Sequence, residues 1–259
     1  MIHLQGLTFR RGEREILRGV DLTVNPGEHW TLLGRNGCGK STILEMITGY
    51  LFPTSGKIDV LGHRYGQVDV REVRKQIGYI SPSLIEKMTL RDPLWEIVAS
   101  GAFAYLRFYE EVADEVRERA YAELDRVGLR SLAEQPFGTL SQGERKKALL
   151  ARTMMASPQL LILDEPCAGL DLYEREKFLN ALSELSTNKL SMLYVTHHIE
   201  EIIPLFTHVA LMAQGQLVGT GLKRDVLTPE KLREAYDLPI EINWKGDRPW
   251  IEVGKVAGQ

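Results

Sequence analysis

The stretch Leu32 to Leu44, LLGRNGCGKSTIL, sets three glycines, a lysine and two hydroxyls between two apolar runs. Gly34, Gly39, Lys40 and Ser41 match G-x-x-x-x-G-K-[ST]. A backbone that wraps around a polyphosphate needs this pattern. Its N–H groups must turn inward, which is easy only without Cβ atoms. The helix that follows adds its positive N-terminal end. Lys40 is a point charge for the β- and γ-phosphates, and Ser41 offers a hydroxyl to Mg²⁺. Asn36, Gly37, Cys38 and Thr42 complete the cradle. The competing reading is a chance match on a turn followed by a helix.

The flanks favour the phosphate loop. His29 to Leu33 reads as a short apolar strand; Ser41 to Thr48 carries Ile43, Leu44 and Ile47 at helical spacing before Gly49. Upstream, Ile2 to Phe9 and Ile16 to Val24 read as strands joined by the hairpin loop RRGERE. Downstream, PTSGKIDVLGH predicts a turn and a strand. A helical middle follows: Thr89 is the expected cap of LRDPLWEIVAS, with Pro93 in its first turns. Val112, Val116, Ala120, Leu124 and Val127 mark a second helix that ends at Gly128. Ser141 and Glu144 form a capping box before a third, to about Ala156. LLIL (160–163), MLYV (192–195) and HVALM (208–212) are buried strands, and Leu172 to Leu185 is a helix between the first two. This order argues for a parallel sheet covered by helices. The tail IEINWKGDRPWIEV predicts a hairpin about Gly246-Asp247, with Pro249 forcing an edge position.

A second chemical signal is LLILDEP. A buried strand ending in Asp164 and Glu165 places two acids at the edge where α/β sheets bind ligands. Asp164 is the expected Mg²⁺ holder and Glu165 the group that polarises attacking water. The bland alternative is a pair of solvated carboxylates at a strand end.

Composition narrows the class. The chain has 259 residues and a formal net charge of −3, so its charge balance argues against nucleic acid as the main partner. Cys38 and Cys167 make no disulfide framework and no metal spacing, which points to a reducing, cytosolic compartment. The N-terminus MIHLQGLTFRRGERE has no uninterrupted apolar run of a secretory leader. No segment approaches the roughly 18 apolar residues of a membrane span.

LSQGE (Leu140 to Glu144) resembles the signature motif of ABC ATPases; AGLD (168–171) resembles their D-loop, and VTHH (195–198) their switch histidine at His197. With the Walker A and Walker B stretches above, the resemblance covers residues 1 to about 225. It implies an α/β fold: a P-loop NTPase parallel sheet core with an N-terminal antiparallel β subdomain and an inserted α-helical subdomain. The implied division is a core of 1–83 and 158–225, a helical insert of 84–157, and a C-terminal extension of 226–259. It also implies an ATPase that works as a head-to-tail homodimer around two ATP molecules. Ser141 and Gly143 of one copy then contact the γ-phosphate held by Lys40 of the other, and His197 contacts it in cis. Ser141 can equally be a plain helix cap, or both. A weaker resemblance, in GEHW, SPS and VTHHIEEI, is to the molybdenum-transport or photorepair-like subgroup.

Two departures stand out. The aromatic residue that stacks on adenine in the family is matched here by Arg11, whose guanidinium plane can also stack. Phe9 is the alternative, and a solvated loop charge the plain reading. In IGYISPS (77–83) the Q-loop glutamine position holds Pro82, whose ring cannot touch Mg²⁺; Ser81, Ser83 or water are the substitutes.

The resemblance implies three roles in turn. The first is the ATPase subunit of a membrane transporter, at the cytoplasmic face of the membrane, docking on an integral-membrane subunit. GAFAYLRFY (101–109) offers Phe103, Tyr105, Leu106, Phe108 and Tyr109 either for that docking or as the insert's own core. The second is a soluble ATPase acting on a protein or nucleic-acid complex. The third is a non-catalytic nucleotide-binding module, against which Glu165 argues.

Overall fold

Alternation of apolar and polar residues builds the N-terminal sheet. In β1 (Ile2–Arg11) the side chains of Ile2, Leu4 and Leu7 are buried while His3 and Gln5 face solvent. β2 (Arg14–Val24) buries Leu17, Val20, Leu22 and Val24 and pairs antiparallel with β1. β4 (Ser55–Val60) covers the other edge of β1, and the two-residue β5 (His63–Arg64) closes the sheet in the order β2-β1-β4-β5. The computed structural model describes residues 1–81, 84, 86–103, 108, 112–186 and 189–254.

The chain divides into two units, Met1–Arg74 with Ser191–Gln259, and Lys75–Leu190. In the first unit, β3 (His29–Gly34) runs parallel between β8 (Ser191–Thr196) and β9 (His208–Ala213). β10 (Gln216–Leu222), not foreseen in the sequence, adds antiparallel to β9. All six residues of β8 are buried, as befits a strand with both faces covered. α1 (Lys40–Ile47) follows the glycine bend, and Gly49 at φ +70° ends it where the sequence predicts. The short α2 (Val70–Arg74) closes the first segment of this unit.

In the second unit, β6 (Ile77–Ile80) and β7 (Leu160–Asp164) form a parallel pair. α3 (Leu94–Ala99), α4 (Asp114–Arg126), α5 (Gln142–Met154) and α6 (Leu172–Leu185) supply the helices. Thr89 does not cap α3. The helix begins only after Pro93, which sits extended at φ −62° and ψ 150°. A proline pushes the residue before it out of the helical region, so a helix entered from Thr89 would break there. α6 buries Phe178, Leu179, Leu182 and Leu185 on one face, the face legible from their spacing. Phe178→Ala is expected to cost about 3–5 kcal/mol, because the ring is fully buried and its neighbours relax only in part. A urea unfolding midpoint within error of wild type would reject that.

The C-terminal segment adds α7 (Lys223–Val226), α8 (Pro229–Tyr236) and the hairpin of β11 (Ile240–Lys245) and β12 (Arg248–Val253) to the first unit. The hairpin turns at Gly246-Asp247, with Pro249 opposite Trp244, as its sequence predicts. Among the described residues no helix is long and apolar enough to cross a membrane.

Candidate nucleotide site

β3 delivers the phosphate loop. Leu33 pairs with Thr196 of β8, and Gly34 with Met212 of β9, so the bend leaves a buried strand at its C-terminal edge. Three glycines there are irreplaceable for different reasons. A Cβ on Gly34 would overlap the carbonyl oxygen of Met212. Gly37 has φ +78° and Gly39 φ +114°, which L side chains avoid, and a Cβ on Gly39 would sit 2.6 Å from Met212 Cε and 2.9 Å from Leu17 Cδ2. The cradle is therefore tight against the strands behind it and open in front, where Arg35, Asn36 and Gly37 are exposed.

Lys40 opens α1 with its stem buried. Its ammonium donates to the carbonyls of Gly34 at 2.8 Å and Arg35 at 3.1 Å, so the charge is held over the loop. Ser41 is exposed and Thr42 half-buried in the same first turn. This geometry fits a polyphosphate: a bend free of Cβ atoms, a cation on it, and a helix N-terminus behind it.

Cys38 lies inside the loop, 8 % exposed. Burial pushes its thiol up, against the pull of Lys40. Since the thiolate is the nucleophile, alkylation of the native chain is expected to be slow. Once modified, the chain should lose ATP binding, and ATP should protect the thiol. Retained ATP binding after mapped, stoichiometric modification of Cys38 would sink this expectation.

The register of β3 and β8 brings His197 to the same edge. Leu33 and Thr196 are partners, so Gly34, which ends β3, and His197, the first residue past β8, come next on the two chains of the pair. His197 is half-buried, with its ring 4.1 Å from that of His198. Thr196 locks the start of this loop: its hydroxyl donates to buried Glu201 at 2.6 Å and accepts from His198 N at 3.0 Å.

A pocket of about 830 Å³ lies beside the phosphate loop in the first unit. Arg10, Arg14, Ile16, Arg35, Cys38 and Asp237 are among its lining residues. Among the described residues that line it there is no aromatic ring, and neither Phe9 nor Arg11 is one of them. Arg11 sits exposed at the hairpin end opposite Arg14. The pairing of β1 with β2 shifts register between Phe9 and Arg10. The contribution of α8 to the pocket has no signal in the sequence.

The second unit holds the acids and the signature. Ile80 and Leu163 are partners in the β6–β7 pair, so Ser81 and Asp164 follow side by side. Asp164 is half-buried and accepts from the Tyr79 hydroxyl at 3.4 Å. Glu165 has φ +46°, a left-handed backbone that a non-glycine residue adopts at a cost and that clusters at functional positions. Pro82 and Ser83 lie outside the described residues, as do Tyr105, Leu106 and Tyr109. Phe103 is half-exposed, its ring edge-on to Phe108 at 5.9 Å.

Ser141 caps α5 with both bonds of the capping box. Its Oγ accepts from Glu144 N at 3.3 Å, and the Glu144 carboxylate accepts from Ser141 N at 2.8 Å. Gly143 is buried, and a Cβ there would overlap the Glu174 carboxylate. In the D-loop stretch, Asp171 caps α6 by accepting from Glu174 N at 2.9 Å, and Lys146 donates to the Ala168 carbonyl.

The donor chemistry suits Mg²⁺. The ion takes few protein ligands, all oxygen, and keeps its waters. Ser41, in the first unit, and Asp164, in the second, each offer an oxygen donor of that kind.

The family model described as ABC transporter matches residues 17–168. The chain belongs to the ABC transporter family. Its cassette is 41% identical over 254 residues to the uncharacterized ABC transporter ATP-binding protein YlmA of Bacillus subtilis, covering 97% of this chain and 96% of that one. It is 35% identical over 223 residues to the ABC transporter ATP-binding protein ModF of Escherichia coli, covering 83% of this chain and 44% of ModF. Among solved structures, cbiO1 of Clostridium perfringens, part of the ABC transporter complex cbiONQ, superposes with a TM-score of 0.78. It is 26% identical, with 90% of this chain and 92% of that one covered. The cassette is thus an ATP-binding ATPase of the ABC transporter type.

Proposed function

We propose that this cassette hydrolyses Mg²⁺-ATP to energise a separate integral-membrane subunit, from the inner face of the cell membrane, through ATP-driven head-to-tail dimerisation. The observation that carries the reading is the register that sets Gly34 and His197 on adjacent strand ends, behind a glycine loop with a lysine on it. In each copy, Asn36, Gly37, Cys38, Gly39, Lys40 and Thr42 hold the phosphates. Ser41 and Asp164 hold Mg²⁺, which would neutralise the phosphate oxygens. Glu165 orients and deprotonates the attacking water, and His197 contacts the γ-phosphate. Ser141 and Gly143 of the second copy meet that phosphate at a helix N-terminus. Arg11, at the exposed hairpin, remains the residue proposed to stack on adenine.

A pull-down from the native source tests the partner. Tagged Glu165→Gln is loaded with ATP and mixed with gently solubilised membranes. A multi-span protein in stoichiometric amount is the expected result. A soluble complex instead would overturn the transport reading in favour of a soluble ATPase.

A further inference from the structure

The C-terminal segment, in which the sequence shows a hairpin but no role, is bonded to the loop that carries His197. Tyr236 ends α8 and donates its hydroxyl to the His197 carbonyl at 3.4 Å. Arg248 opens β12 and donates Nε to the Glu200 carbonyl at 2.7 Å. Both bonds go to main-chain oxygens, so they constrain the backbone of the loop and not only its side chains. In the same loop Glu201, 3% exposed, accepts from Tyr194 of β8 at 2.9 Å and from Thr196 at 2.6 Å. The loop from His197 to Glu201 is thus pinned between β8 and the C-terminal segment.

The hairpin that carries Arg248 is itself anchored. Lys223, 3% exposed, pairs with the Asp247 carboxylate at 2.8 Å and donates to the Asp247 carbonyl at 2.6 Å. That ammonium holds the Asp247 carboxyl below its usual range, with Arg224 adding to the effect. Arg224 also donates to the Gly246 carbonyl at 2.8 Å and lies over the Trp244 ring at 4.3 Å. A buried lysine paired in this way is costly to leave without its partner, so the tip of the hairpin is held in one place. The other anchor, α8, lines the pocket beside the phosphate loop with Glu234 and Ala235, and Asp237 just after the helix lines it too. Burial pushes the Tyr236 hydroxyl well above its ordinary value, so it stays protonated and able to donate.

We propose that Tyr236 and Arg248 are positioning residues: through the carbonyls of His197 and Glu200 they brace the switch loop so that the imidazole meets the γ-phosphate. This rests on the role proposed above for His197. The direction of a side chain follows its own backbone, and a misplacement of about 1 Å at a catalytic group can cost about a hundredfold in rate. A segment serving only to cover the core would need apolar contacts, not directed donors to two carbonyls of one functional loop.

The test uses the full-length chain and compares His197→Ala, Arg248→Ala, Arg248→Lys and Tyr236→Phe. Steady-state ATP hydrolysis gives kcat and KM, and competition with a fluorescent nucleotide gives the affinities for ATP and ADP. Arg248→Ala is expected to lower kcat about tenfold, with KM for ATP and affinity for ADP within about twofold of wild type. Tyr236→Phe lowers kcat about threefold, and Arg248→Lys, which keeps a donor, recovers part of the loss. In the His197→Ala background, Arg248→Ala costs nothing further, because the group it positions is gone. If Arg248→Ala melts below assay temperature, Tyr236→Phe, which removes one oxygen, decides by the same criteria. Wild-type kcat in Arg248→Ala and Tyr236→Phe, or an additive loss in the double variant, overturns the brace alone. Unchanged turnover in His197→Ala removes the switch role itself and the brace with it.

Discussion

Glu165→Gln binds ATP with near wild-type affinity while its turnover falls about a thousandfold. Glutamine keeps the size and shape of the side chain and loses only the charge that can take a proton from water. The backbone at this position is already committed: Glu165 has φ +46° at the end of β7, and its carbonyl accepts from Ala168 N at 3.1 Å. The substitution therefore leaves strand, turn and phosphate loop in place. With binding intact and the chemical step blocked, the ATP-bound dimer should accumulate. Phosphate release measures the first part, and light scattering with Mg²⁺-ATP the second. Turnover within a few fold of wild type would take Glu165 out of the reaction. A particle that stays monomeric with ATP bound would leave the acid in place and reject the sandwich.

Lys40→Ala acts one step earlier and lowers ATP affinity itself, by about a hundredfold. A charged donor on a phosphate is worth roughly twice a neutral one, and here it sits on a buried stem. The lysine also donates to the Gly34 and Arg35 carbonyls, so part of the loss comes through a loosened loop. Thermal melting without nucleotide separates the two contributions: a Tm close to wild type assigns the loss to the phosphate contact. Undiminished ATP binding would remove the glycine bend from the site altogether.

The two variants separate what the residues do. Lys40 lies in the unit with the phosphate cradle, and Glu165 in the unit with the signature and the acids. One change should weaken capture itself, and the other should block the reaction while leaving capture intact.

Local chemistry was legible in the sequence because local patterns express it. The glycine bend, the start of α1, the capping box at Ser141 and Glu144, and the limits of α6 all follow from spacing and backbone preference within a few residues. The apolar runs at 160–163, 192–195 and 208–212 could be nothing but buried strands, and are. Where a local rule misleads, as at Thr89, a stronger local rule wins: Pro93 delays the helix.

What only the tertiary structure decided is which distant segments meet. The order β9-β3-β8 sets His197 beside the glycine bend, and no periodicity in the chain announces which strand lies next to which. The pocket draws on the first hairpin, the phosphate loop, the β9–β10 turn and the end of α8, segments far apart along the chain, from Arg10 to Asp237. The bulge near Phe9 and Arg10, the left-handed backbone of Glu165 and the bonds from Tyr236 and Arg248 to the His197 and Glu200 carbonyls likewise have no sequence signature. Spacing reports what a residue does to its near neighbours along the chain. Strand pairing, pocket closure and a donor reaching a remote carbonyl depend on packing across the fold, which exists only once the chain has collapsed.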